Sequence, residues 1–122
     1  MMTKENEFGF HYFKPEEFAC THTGRMETDY GFIRKLDQLR HKCGFPLVVT
    51  SGFRDETHPA EAKKEKAGTH TQGIAVDFAA NTSAERYVIL QQAFLMGFGG
   101  IGVGKNFVHI DDRTTTPVVW VY

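Results

Sequence analysis

Two short runs in this 122-residue chain carry side chains suited to coordination chemistry. Residues 69–78 read THTQGIAVDF and hold His70 and Asp77; residues 106–111 read NFVHID and hold His109. Two imidazole nitrogens and a carboxylate oxygen form the donor set of a catalytic zinc site, which keeps a fourth position for water. A single histidine is equally well explained by a hydrogen bond or by exposure. Three donors embedded in two apolar runs call for more. A carboxylate buried at Asp77 without a partner is costly, and a metal ion is one of the few partners that offsets the cost.

These donors need two strands side by side and a turn. His70 and Asp77 are seven residues apart, too far for neighbouring positions on one strand, so a loop must fold His70 back and Gly73 can supply the turn. His109 follows Asp77 by 32 residues, room for one helix and a return strand, which makes the two ligand-bearing strands candidate sheet neighbours. Alternation in residues 107–111 puts Phe107, His109 and Asp111 on one face and Val108 and Ile110 on the other. Asp112 then points away. Asp77 shares its face with Ala75, small enough to leave room above the sheet.

The surrounding elements follow from periodicity and caps. Residues up to about Phe10 read as a polar arm, and residues 14–19 as one helical turn opened by Pro15. Phe32, Ile33, Leu36, Leu39 and Cys43 recur at helical spacing, so a helix is expected from about Asp29 to Cys43, capped by Thr28 or Asp29 and ended by Gly44. Residues 46–50 read as a buried strand and residues 59–67 as a short exposed helix. Thr82 and Glu85 form a capping box opening a helix to about Met96, with Ala84, Val88, Phe94 and Leu95 as its apolar stripe, broadened by Tyr87, Ile89 and Leu90. The glycines from Gly97 to Gly104 suit a bend and a strand with close backbone approach, and they lack the Gly-Lys-Ser/Thr ending of a phosphate loop. Residues 117–122 read as a final strand whose Pro117 favours a strand start or a sheet edge.

Composition narrows the function classes. The chain is long enough for one domain with a core and too short for two, so residues 1–122 are read as a single unit, with 1–10 as the arm. Fourteen Lys+Arg balance fifteen Asp+Glu for a net charge of -1, and no block of one sign points to nucleic acid or an anionic membrane. No run approaches membrane-span length. Residues 1–8 lack the apolar segment of a secretory signal, so synthesis in the cytoplasm is expected. Cys20 and Cys43 are too few for a disulfide framework and read as reduced, buried thiols.

Taken together, Ser51-Gly52-Phe53-Arg54, the run from His70 to Asp77 and the run from Phe107 to Asp111 resemble the zinc D-alanyl-D-alanine peptidases. That family shares a core with the Hedgehog signalling domain and includes carboxypeptidases, dipeptidases and phage endolysins. The resemblance extends to residues 13–20 and to the helix from Phe32 to Arg40. It implies an α+β fold, a small antiparallel sheet with helices packed on one side. It also implies Zn2+ held by His70, Asp77 and His109, and Arg54 reaching towards the substrate carbonyl or carboxylate, a task suited to its fixed fork and permanent charge.

One part of the pattern departs. Many relatives carry an acid three residues before the last histidine, where this chain has Asn106, and an amide cannot take a proton from bound water. Asp111 is the substitute candidate for the base; its competing role is to orient a ligand. The resemblance implies a monomeric zinc metallopeptidase that hydrolyses an amide bond in the peptidoglycan stem peptide, as a D-Ala-D-Ala carboxypeptidase or an L-Ala-D-Glu-type endopeptidase. A phage or prophage endolysin reaching the wall through a holin or a virion is the expected setting. The competing class is a non-catalytic, zinc-stabilised wall-binding or phage structural module.

Overall fold

The computed structural model describes residues 10–61 and 68–122, whose elements follow the local signals closely. Pro15–Phe18 form a single 3-10 turn. Helix α1, Tyr30–Cys43, starts where the Asp29 carboxylate accepts the Phe32 amide and stops where Gly44 turns left-handed at φ 78°. Helix α2, Ser83–Met96, starts with the Thr82 hydroxyl accepting the Glu85 amide. The strands are β1 Val49–Ser51, β2 Ala75–Ala79, β3 Gly100–Val103, β4 Phe107–Asp111 and β5 Val118–Val121.

The five strands form one mixed sheet in the order β1-β2-β4-β3-β5, giving the expected α+β class. Strand β4 inserts between β2 and β3 and is antiparallel to both. One pair departs from the antiparallel expectation: β5 runs parallel to β3. The chain leaves β4 at the end where β3 begins, so a short return past that end brings β5 alongside β3 in the same direction.

One sheet face carries Val76, Phe78, Val108, Ile110 and Ile101, all buried in a core shared with Phe32, Ile33, Leu36 and Leu39 of α1 and Ile89 and Ala93 of α2. Burying each such large side chain stabilises the fold by about 1.5–3 kcal/mol before the opposing entropy is counted. The opposite face carries the polar side chains.

Several expectations are revised. Phe10, assigned to the polar arm, is buried with its ring edge-on to Tyr30; the rest of that arm lies outside the described residues. The strand expected over 46–50 as buried is β1, at the sheet edge, with Val48 exposed and only Leu47 of that run in the core. On α2, Phe94 and Leu95 are exposed and Ile89 and Ala93 are buried instead. That helix is apolar around more than one face, so the docking partner chose which face to cover. Of the helix expected over 59–67, Pro59, Ala60 and Glu61 form turns and residues 62–67 lie outside the described residues. Cys20 and Cys43 are buried and unpaired.

Candidate metal centre

The site is a single row of residues across the polar face of the sheet. Strand pairing sets Ser51 opposite Asp77, Asp77 opposite His109, His109 opposite Gly102 and Gly102 opposite Trp120. A parallel row one step along joins Ala75, Asp111 and Gly100. Small residues occupy the places that larger neighbours need. A methyl group on Gly100 would land on the Asp111 carboxylate, and one on Gly102 would lie 2.8 Å from the rings of Trp120 and Tyr122.

His70 reaches this row from outside the sheet. Residues 69–73 form consecutive turns closed by the Gly73 amide donating to the His70 carbonyl, with Gly73 left-handed at φ 76°. A side chain there would collide with the Glu27 carbonyl, so the turn requires glycine on two counts.

Three atoms converge. His70 Nε2 lies 3.2 Å from His109 Nδ1; Asp77 Oδ1 lies 3.0 Å from His109 Nδ1 and 3.4 Å from His70 Nε2. Each ring's far nitrogen is engaged elsewhere. His70 Nδ1 donates to the Gly52 carbonyl at 2.8 Å, and His109 Nε2 donates to Asp111 Oδ2 at 2.7 Å. Since a carbonyl and a carboxylate only accept, both far nitrogens carry the proton, and the inward nitrogens present lone pairs. Two lone pairs and a carboxylate oxygen facing one another call for a cation.

Their separations match the roughly 3.3 Å edges of a tetrahedron with bonds of about 2.0–2.1 Å, the zinc geometry for nitrogen and oxygen ligands. All three residues are buried. The donor set and its spacing therefore fit a zinc ion, with the ring nitrogens held in the manner that second partners hold metal-bound imidazoles.

The electrostatics agree. Burial pushes Asp77 upward, yet the His109 and His70 rings, which donate to it when a proton and not a cation sits between them, outweigh this and hold it below the usual carboxylate range. Burial pushes His109 downward, and the carboxylates of Asp111 and Asp77 flanking its two nitrogens, each able to accept from the imidazolium, more than reverse it. The field that favours a proton on His109 also favours a cation among the three ligands.

Asp111 occupies the outer side of His109. It is fully buried, and its oxygens accept from His109 Nε2 and from Nε and Nη2 of Arg113 at 2.8 and 2.7 Å. Burial raises its pKa, and the hydrogen bonds from Arg113 and His109 bring it below the usual range. Asn106, where many relatives carry an acid, is exposed at the tip of the β3–β4 hairpin, its carbonyl accepting the Ala80 amide. Asp112 turns away from the site to pair with Lys35 at 2.6 Å.

Arg54 stands beside the ligands. Its Nη2 lies 3.4 Å from Asp77 Oδ2, its Nη1 3.3 Å from Glu61 Oε2, and its Nε donates to Ser51 Oγ at 3.1 Å. Glu61 is a participant that the sequence did not reveal. It is buried, and its other oxygen accepts the Thr71 hydroxyl at 3.0 Å. In sequence it belongs to a run of charged residues that reads as a solvated surface. His22 and His58, edge-on to one another with ring centres 5.9 Å apart, stand apart from the three ligands.

A cleft of about 500 Å³ opens over His70 and His109, with Arg54 and Gln72 on one side and Arg113, Thr115, Trp120 and Tyr122 on the other. The second wall was also missed in the sequence. Its only signal is the chain's single tryptophan in the terminal strand.

Comparison with known families matches residues 11–111 to the peptidase M15 model. No curated protein matches the chain. Across most of its length, from the segment before Pro15 to the end of β4, the chain belongs to the peptidase M15 family, the zinc D-Ala-D-Ala peptidases.

Proposed function

We propose that the protein is a zinc metallopeptidase that hydrolyses an amide bond in the peptidoglycan stem peptide. The carrying observation is the convergence of His70 Nε2, Asp77 Oδ1 and His109 Nδ1, each ring held by a partner on its far nitrogen. When bound, zinc would supply Lewis-acid polarisation of the scissile carbonyl and a bound water of lowered pKa. Arg54, anchored by Asp77, Glu61 and Ser51, is placed to hold negative charge that develops on the substrate oxygen. The Gly52 carbonyl and Asp111 keep the two imidazoles in register. With full burial and two partners, Asp111 acts as a positioning residue for His109 and not as the base.

The test is zinc content together with turbidity loss of purified cell walls, for the native chain and for His109→Ala. Bound zinc and lysis by the native chain alone are expected; equal lysis by both, or a metal-free native protein, would sink the proposal. Muropeptide masses after digestion then tell carboxypeptidase from endopeptidase action. The setting we propose is a phage or prophage endolysin delivered through a holin or in the virion, supported by resemblance to small single-domain relatives.

A second reading is a zinc-stabilised wall-binding or phage structural module without turnover. It is favoured by one observation: among the described residues, no Asp or Glu lines the cleft. In that case wall fragments bind uncut, and chelation still lowers the melting temperature.

A further inference from the structure

The wall of the cleft opposite Arg54 is built around a second guanidinium. Arg113 sits two residues past the end of β4, a quarter exposed, with its plane fixed from two directions. Nε and Nη2 form a fork on the buried Asp111, and the guanidinium carbon lies 5.1 Å from the centre of the Trp120 ring. Its third nitrogen, Nη1, has no partner among the described residues. Arg54 differs, since all three of its nitrogens are engaged by Ser51, Glu61 and Asp77. With no acidic side chain on the described lining, the cleft presents Arg113 as its least committed cation.

A guanidinium locked by a carboxylate and an aromatic ring loses little further freedom when it binds an anion, and its remaining N–H groups suit a carboxylate oxygen. We propose that Arg113 is a specificity-determining residue that reads a substrate carboxylate close to the scissile bond. Thr115 and Tyr122 on the same wall offer hydroxyls near such a group. This rests on the cleft being where a stem peptide lies, and it adds that the ligand must be anionic at that wall. Two carboxylates of a stem peptide meet the description: the C-terminal one and the one on the glutamyl residue.

The experiment is calorimetric titration of the full chain with one synthetic stem peptide in three forms. One form has both carboxylates free, one has the C-terminal carboxylate amidated, and one has the glutamyl carboxylate amidated. The expected result is that one amidated form binds about tenfold more weakly than the free form, which identifies the carboxylate that is read. In Arg113→Gln the preference falls below about twofold, and in Arg113→Lys an intermediate preference remains. The ratio between forms is the readout because disturbance of Asp111 and His109 weakens all three alike.

Equal binding of the three forms, or an undiminished preference in Arg113→Gln, overturns the carboxylate subsite while leaving the peptide cleft standing. Should Arg113→Gln not fold, an undiminished preference in Arg113→Lys overturns it equally. Absence of binding by every form overturns the cleft reading and the subsite with it.

Discussion

Each histidine of the candidate centre is defined by what its far nitrogen touches. Asp111→Asn keeps an oxygen near His109 Nε2 and removes the charge that strengthens that hydrogen bond. The expected outcome is a 10–100-fold weaker zinc affinity, read by competition with a chelating dye, with the fold retained in circular dichroism. If Asp111 were the base instead, turnover would collapse with zinc affinity unchanged. Glu61→Gln tests the support of Arg54. Catalytic efficiency on a stem-peptide substrate is expected to fall about tenfold or more with zinc content unchanged, since the change displaces Arg54 and leaves the ligands intact. Cys43 offers a contrasting case, a thiol pushed up to about 11 by burial against a smaller pull from Arg40. At pH 8 roughly a thousandth of it is thiolate, so alkylation in the folded protein should be very slow.

Among the elements, the 69–73 turn and the sheet do different jobs. The sheet brings Asp77 and His109 together by direct pairing of β2 with β4, whereas His70 depends on one left-handed glycine. Gly73→Ala is expected to cost about 2 kcal/mol or more in urea unfolding, because both the backbone angle and the Glu27 carbonyl oppose a methyl group. Gly44→Ala supplies the comparison, with the same sign of φ and open space around it, and should cost about 1 kcal/mol. A larger loss of zinc affinity in the first variant than in the second would tie the turn to the site; equal losses would count against that link.

For the whole molecule, metal and acid should act together. Any ion that binds the folded state alone adds stability by mass action, so chelation is expected to lower the melting temperature by several degrees. The acid limb rests on carboxylates. Asp55, hydrogen-bonded by Thr57 and by Arg25, is held down to about 2 from its ordinary 3.8. A lowered folded-state pKa means stability that is fully present above about pH 4 and lost as pH falls towards 2. Asp77 and Asp111 shift in the same direction. The melting temperature should therefore drop across that window, and Asp55→Asn should shallow the drop; an unchanged slope would remove Asp55 from the account.

What the sequence determined by itself was local or periodic. Asp29, Thr82 and Gly44 announce the helix ends because caps act within one turn. Alternation assigned His109 and Asp111 to one face and Val108 and Ile110 to the other, because a strand's period of two leaves no other choice. The donor types singled out His70, Asp77 and His109 as a group that could hold a metal ion, and these three do come together. Tertiary structure decided whatever required two distant segments to meet. It chose Ile89 and Ala93 over Phe94 and Leu95 as the buried face of α2, ran β5 parallel beside β3, and drew Glu61 out of a charged run to hold Arg54. It also placed Asp111 outside His109 and Arg113 over Trp120. Those outcomes depend on which surfaces dock and on the distances between side chains far apart in the chain, which no local pattern of residue types encodes.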